Sequence, residues 1–430
     1  MVKPLNILIS AYACRPKMGS EPGVGWSTAS EIAKYEKVWV VTRNDNRPFI
    51  EAERAEHPIS NLEFIYCDVP SALGWVCKSG QLTHYYLWQI VAYFTIKRLH
   101  PDLNFDLIHH VTYVRYSTPS FLAFLPIPFI WGAVGGGEMA PSSFWQDFNL
   151  RARLYEVARM MAHRLGEIDP FTRLTIRKSA LVRATTKDTA ARLICMGAVN
   201  PEIFPESALP LTEIEALGQY PPPLDGGIRF ISMARLLHWK GLHLGIRSFA
   251  QAKLPDNSEY WIFGEGPERA SLEKLAQSLG VSQQVQFLGC QPRSETLQNL
   301  SQCHGLVHPS LHDSGGWVCV EAMAMGKPVI CLDLGGPSTQ VTAQTGIKVQ
   351  AQTPQQAVDG LAEAMSRLAQ DSTLRSTLGE AGRVRATTIY SWEGRSKHLV
   401  ELYHRLANRS VPSPDAASNK LYSPAGYGEK

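Results

Sequence analysis

The sequence predicts an α/β protein built from two doubly wound domains in series. Three observations carry that expectation. Short apolar runs recur along the chain, each followed by a turn and then by a helical pattern, the mark of strands buried in a parallel sheet. At 430 residues the chain exceeds one ordinary hydrophobic core. Between Asn200 and Gly227 the composition shifts to Pro, Leu and acids and includes the run PPPLDGG, which reads as a linker. The expected units are a first domain of residues 1–205 and a second of residues 206–390.

The first domain opens on Leu5–Ser10 (LNILIS), a continuous apolar run. Met1 to Pro4 leave no room for a leader, so none is expected. The glycine-rich stretch GSEPGVGW, Gly19–Trp26, reads as a loop, with Ser27 capping the helix after it. Lys37–Thr42 closes a strand–helix–strand unit, and a right-handed crossover makes the two strands parallel. Leu62–Cys67 is a further strand, and Tyr85–His100 reads as an aromatic helix suited to a core, an interface or membrane contact. Phe105–His109 is a strand ending in the pair His109 and His110. Pro128–Trp131 runs into GAVGGGE, Gly132–Glu138. Ligands bind outside the carboxyl ends of strands in an open α/β sheet, which makes His109, His110, Gly136 and Glu138 candidates. A lone histidine is usually structural; a pair before a Thr-Tyr turn is a functional candidate as well. Phe148–Lys178 is helical and rich in Arg, either a solvated face or a surface for anionic lipid or a polyanionic acceptor. Leu181–Thr186 is a strand and Thr189–Met196 a helix.

The second domain repeats the alternation through Ile228–Met233, Tyr260–Phe263, Val285–Leu288, Gly305–His308 and Val329–Leu332. Leu361–Leu368, Leu374–Ala386 and Trp392–Leu406 read as helices. Ala407–Lys430 is polar, rich in Ser, Pro and Gly, and expected to be disordered. Composition narrows the function. The charges balance to +3 and are interspersed, which gives no support to nucleic-acid binding. The eight cysteines form no C-x-x-C pair and read as reduced thiols of a cytoplasmic protein. The longest strongly apolar run, Tyr85–Ile96, is too short to span a bilayer.

The chemistry concentrates in the second domain. In GLVHPSLHDSGGWVCVEAMAMGKPVICLDLGGP, Gly305–Pro337, the carboxylates Asp313 and Glu321 bracket a turn into a helix. Ser314, Gly315, Gly316, Trp317 and Val318 lie at that turn. The glycines let a ligand approach the backbone, and the first amides of the helix are unpaired donors that favour an anion or hydroxyls. Arg235 and Lys240, in ARLLHWKG, follow a strand; two fixed cations there can neutralise a diphosphate. Gly264 and Gly266 lie in a G-x-G-P turn after the next strand, and Leu288 ends the one after that.

These residues resemble the retaining glycosyltransferases of family 4. The pair Asp313 and Glu321 is similar to that family's E-x7-E signature, with Asp in place of the first Glu. The R-x4-K-G spacing of Arg235, Lys240 and Gly241, the turn at Gly264 and Gly266, and Phe287-Leu288-Gly289 follow in the family's order. The resemblance implies the GT-B fold: two Rossmann-like domains facing each other across a cleft, with a C-terminal helix, here 392–406, crossing back onto the first. It implies transfer of a sugar from a nucleoside-diphosphate sugar to an acceptor hydroxyl, with retention and without a metal. Arg235, Lys240, Asp313, Glu321, His109 and His110 would act in catalysis. Gly23, Gly25, Gly264, Gly266, Leu288, Ser314, Gly315, Gly316, Trp317 and Val318 would hold the donor, and Gly136 and Glu138 would lie on the acceptor side. The nucleotide sugar is a substrate, so no cofactor is expected. The acceptor could be a lipid, a polysaccharide or a small molecule, with peripheral contact at the membrane's inner face.

Three rival readings stand beside this one. A sugar-nucleotide epimerase or hydrolase could use the same architecture. An NAD-dependent dehydrogenase would need a G-x-G-x-x-G that the first βα turn lacks. A non-catalytic sugar-binding protein would have less use for intact cations and carboxylates.

Overall fold

The computed structural model describes residues 3–70, 80–223 and 226–408. The tail expected to be disordered lies outside the described residues from 409 onward. Two parallel sheets organise the chain. The first takes β1 (Asn6–Ala11), β2 (Lys37–Thr42), β3 (Leu62–Tyr66), β4 (Leu107–Thr112), β5 (Phe129–Val134), β6 (Leu181–Ala184) and β7 (Glu202–Ile203), in the order β3-β2-β1-β4-β5-β6-β7. The second takes β8 (Arg229–Met233), β9 (Glu259–Phe263), β10 (Val285–Gly289), β11 (Gly305–His308), β12 (Val329–Leu332) and β13 (Gly346–Val349), in the order β10-β9-β8-β11-β12-β13. In each sheet the order reverses beside the first strand, which creates a crevice at the strands' carboxyl ends.

Period-two alternation explains how each sheet is covered on both faces. Leu8 and Ile108 join one core with Trp88 and Phe129, while Ile7, Ile9 and Leu107 join another on the opposite face. That second core is completed by Leu399, Leu402, Tyr403 and Leu406 of the C-terminal helix Trp392–Ala407, which packs back onto the first domain. The helix Leu211–Gly218 lies in the expected linker, yet Ile214 and Leu217 are buried in the second domain's core.

Several sequence expectations need correction. The glycine-rich stretch 19–26 is not a loop: the helix begins at Ser20 and runs to Ile32, so Gly23 and Gly25 are helical and buried. A Cβ on Gly23 would sit 2.0 Å from the carbonyl oxygen of Met18, and one on Gly25 would sit 2.3 Å from that of Ala13. These glycines let the helix pack against the loop after β1 rather than leave room for a ligand. The long helical stretch is two helices, Leu150–Ile168 and Pro170–Lys178, broken where Asp169 caps the second and Pro170 opens it. Past the strand Val329–Leu332, Gly335-Gly336-Pro337 starts the helix Gly335–Gln340.

Candidate active site

The residues expected to hold the donor lie at the carboxyl ends of the second domain's strands. The loop after β8 carries Arg235 and a short turn, His238–Lys240, closed by Gly241 in the left-handed region. A Cβ on Gly241 would meet the carbonyl oxygen of Pro309 at 2.0 Å, so only glycine lets this loop lie against the loop after β11. That contact brings Lys240 to Asp313: Nζ donates to Oδ2 at 2.5 Å, and His308 Nε2 donates to the same oxygen at 3.2 Å. Burial alone would raise the Asp313 carboxyl, but the Lys240 charge and the His308 bond hold it well below the usual carboxylate range. Oδ1 has no hydrogen-bond partner among the described residues.

Glu321 repeats this arrangement one helix away. It is buried on the helix Trp317–Ala324, and Oε1 accepts from Arg293 Nε at 3.0 Å and Nη2 at 2.6 Å. Arg293 also binds Glu213 at 2.5 Å. Burial raises the Glu321 carboxyl, and Arg293 opposes the rise. Its Oε2 has no partner among the described residues. Each acid therefore spends one oxygen on a cation and leaves the other unbonded. Between them, Gly316 starts the helix at φ 62° with no side-chain cap, so the first amides of the helix are open. Arg235 is exposed and its side chain forms no ion pair or hydrogen bond among the described residues.

The other expected donor residues have different partners. Cβ atoms on Gly264 and Gly266 would lie 1.9 Å and 2.3 Å from the carbonyl oxygens of Ala234 and Leu236, so these glycines fix the Arg235 loop. Ser314 Oγ donates to Glu138 Oε2 at 2.6 Å. The carbonyl of Gly315 accepts from Ser207 Oγ and from the Gln340 amide. Trp317 packs with Val24, Ala208 and Trp392 at the domain junction, and Val318 and Leu288 pack against the second domain's core.

The first-domain candidates are the most enclosed. Glu138 is buried, and Oε1 accepts from Thr186 Oγ1 at 2.6 Å and Thr189 Oγ1 at 2.8 Å. Oε2 takes Ser314 and, at 3.2 Å, the amide of Gly136. With both oxygens hydrogen-bonded, Glu138 and Gly136 tie the first domain to Ser314 of the second. His109 and His110 are not at a strand end: β4 continues to Thr112, and both are buried within it. His109 Nε2 faces the carbonyl of Gly132 at 2.6 Å and must carry the proton; Nδ1 then accepts from Tyr403 Oη at 2.6 Å. Burial lowers His109 to about 3, so the ring is neutral. His110 points to the opposite face, with Nε2 3.1 Å from the carbonyl of Thr112 and Nδ1 unpartnered. Both rings are buried and held by the protein's own groups.

Sequence reasoning missed Arg293, His308, and the trio Glu156, His238 and His312. Arg293 follows the carboxyl end of β10, the position that signals a ligand-side residue. Glu156 carries no such signal, since it is an acid within an Arg-rich helix. One trio of possible metal ligands comes together among the described residues, Glu53, Glu56 and His57, at an exposed helix end where Lys17 already pairs with Glu53.

Comparison with known proteins bears on this geometry. Residues 221–385 match the family model of glycosyl transferases group 1. A D-inositol 3-phosphate glycosyltransferase of Corynebacterium urealyticum is 32% identical over 203 residues, 45% of this chain and 46% of that protein. A lipopolysaccharide core biosynthesis glycosyltransferase of Rhizobium meliloti, LpsD, is 31% identical over 180 residues, 41% of this chain and 49% of that one. The match thus spans about half the length of these curated relatives. Anabaena HepE, solved with UDP and glucose, superposes with a TM-score of 0.59 at 17% identity, covering 93% of this chain and 100% of its own. Sucrose-phosphate synthase from Thermosynechococcus elongatus superposes with a TM-score of 0.58 at 18% identity, covering 94% and 99%.

The fold is GT-B. Within it, the part of the chain that matches the family model contains Arg235, Lys240, Gly264, Asp313 and Glu321.

Proposed function

We propose that this chain transfers a sugar from a nucleoside-diphosphate sugar to an acceptor hydroxyl, retaining the anomeric configuration and using no metal. The observation that carries the reading is the pair of half-satisfied carboxylates, Asp313 and Glu321, on either side of an uncapped helix start. Glu321 Oε2 is free to accept ribose hydroxyls. Asp313 Oδ1 is free to accept from the sugar. Arg235, Lys240 and the open amides at Trp317 and Val318 form a fixed positive field for the leaving diphosphate. As the anomeric carbon becomes cationic, preorganised charge of this kind lowers the barrier without a protein nucleophile. The rival readings as epimerase, hydrolase or dehydrogenase gain no support from this arrangement.

The acceptor side falls to the first domain. Its helix Leu150–Ile168 exposes Leu150, Leu154, Met161, Leu165 and Ile168, each more than 60% accessible, among the exposed Arg151, Arg153 and Arg164. An apolar face flanked by cations suits the interface of an anionic bilayer. Among the described residues no helix is long and apolar enough to cross a membrane. A peripheral enzyme acting on a glycan or lipid-borne acceptor at the cytoplasmic face fits both observations. Calorimetric titration with UDP, GDP and ADP, followed by incubation with the matching sugar nucleotides, tests the reading. Binding of one diphosphate and slow release of it from its sugar are expected. Failure to bind all three, or hydride transfer or epimer formation instead, overturns it.

A further inference from the structure

Residues 140–156 belong to the first domain by chain order but pack on the second. Ala140, Phe144, Phe148 and Ala152 are buried in one core cluster with Leu242, Ile246 and Phe249. Asp147 pairs with Arg247 at 3.0 Å, and Ser143 Oγ donates to the carbonyl of Gln352 at 2.6 Å. This arm ends on Glu156, whose side chain is fully buried. Glu156 Oε1 accepts from His238 Nε2 at 2.8 Å and from His312 Nε2 at 3.3 Å. Around this contact Trp239 is sandwiched by Tyr155, at 5.0 Å and 10°, and by His312, at 5.2 Å and 15°. The amide of Leu311 donates to the carbonyl of Trp239 at 2.8 Å, so the two loops are joined to each other as well.

The two histidines are not arbitrary partners. His238 lies on the short turn that ends in Lys240, and His312 is the residue before Asp313. One carboxylate of the first domain thus holds both loops that present the Lys240–Asp313 pair. A buried carboxylate among aromatic rings carries a desolvation cost that an apolar side chain of the same size would not. What offsets it here is the pair of hydrogen bonds from the two loops, His238 and His312.

We infer that Glu156 is a positioning residue that sets Lys240 and Asp313 relative to each other from across the domain boundary, so that sugar transfer requires the arm to be seated while capture of the nucleoside diphosphate does not. The inference rests on the proposed transferase reading. Capture is separable because Arg235, Glu321 with Arg293, and the open helix amides all belong to the second domain and make no contact with Glu156, and because Lys240 and Asp313 keep their charges and their mutual contact in every variant tested.

The test compares wild type, Glu156→Gln, His312→Asn and the double variant. Two quantities are read: kcat for hydrolysis of whichever UDP-, GDP- or ADP-sugar the wild type turns over, and Kd for the matching diphosphate. Each single variant should lose about tenfold or more in kcat, the scale of one charge-assisted hydrogen bond. Kd should stay within about threefold, and the double variant should be no worse than the poorer single, because both act through one contact. Unchanged kcat in the single variants, an equal loss in kcat and Kd, or additive losses would overturn the inference. Should Glu156→Gln fail to fold, His312→Asn reads the same two quantities. A wild type that binds none of the three diphosphates defeats the transferase reading itself. A wild type that binds and hydrolyses, with variants to match, defeats only the role of Glu156.

Discussion

Replacing Asp313 with Asn should strengthen diphosphate binding while weakening transfer, and the structure supplies the size of the effect. Lys240 is bound to Asp313 at 2.5 Å, with both side chains 18% exposed. A diphosphate arriving at Lys240 must share or displace that partner. Asp313 is held well below the usual carboxylate range, so its charge is present at neutral pH and Asn removes it without changing shape. A charge-assisted hydrogen bond contributes about 1.5–3 kcal/mol net. If binding recovers roughly 1–2 kcal/mol of this, the diphosphate Kd falls about 5- to 30-fold. The same substitution weakens the acceptor proposed for the sugar, so turnover of the full donor should fall about tenfold or more. Calorimetry with the diphosphate and then with the sugar nucleotide reads both. If Asp313→Asn weakens binding of the two ligands equally, Asp313 only supports its loop and the proposed role is wrong.

Four further outcomes are expected. Glu321→Gln should weaken the nucleoside diphosphate itself by about tenfold or more, since the ribose contact is shared by both ligands; calorimetry showing wild-type affinity would remove Glu321 from the site. His109→Ala leaves Tyr403 Oη and the Gly132 carbonyl unpaired, so it should cost roughly 2–5 kcal/mol of stability in thermal melts yet spare kcat/KM of the folded protein; loss of kcat/KM without destabilisation would restore a catalytic role. Burial would raise the Glu156 carboxyl, but His238 and His312 pull it down to about 2 from an ordinary 4.5. The stability this supplies is complete above about pH 4.5 and lost as pH falls toward 2, so between pH 5 and 3 the wild-type Tm should drop more steeply than that of Glu156→Gln; parallel curves would refute the assignment. Leu154→Asp with Leu165→Asp should abolish sedimentation with phosphatidylglycerol vesicles while leaving diphosphate affinity intact; retained sedimentation would move the membrane contact elsewhere.

Sequence alone determined the fold class and brought out the segments proposed to hold the donor. Buried parallel strands must be apolar on both faces, so runs such as LNILIS, KVWVVT and IRFISM are visible in isolation. The pairs Arg235 and Lys240, and Asp313 and Glu321, lie within short segments whose spacing survives folding. Glycine, by contrast, misled. Gly23 and Gly25 look like a phosphate loop, but their lack of a Cβ serves helix packing, and close approach to backbone or to ligand calls for the same residue. The strand containing His109 and His110 runs past its expected end because its last three residues, His110, Val111 and Thr112, merge into a polar turn in composition.

Tertiary structure decided everything that depends on contacts distant in sequence. Ser314 meets Glu138 across 176 positions, and Glu156 meets His312 across 156. No periodicity or motif records such pairs, because a side chain's environment is set by which elements the fold stacks together. The same holds for charge: only the packed structure shows that Lys240 is paired, that Arg235 is free among the described residues, and that Asp313 and Glu321 each have one oxygen unbonded among the described residues.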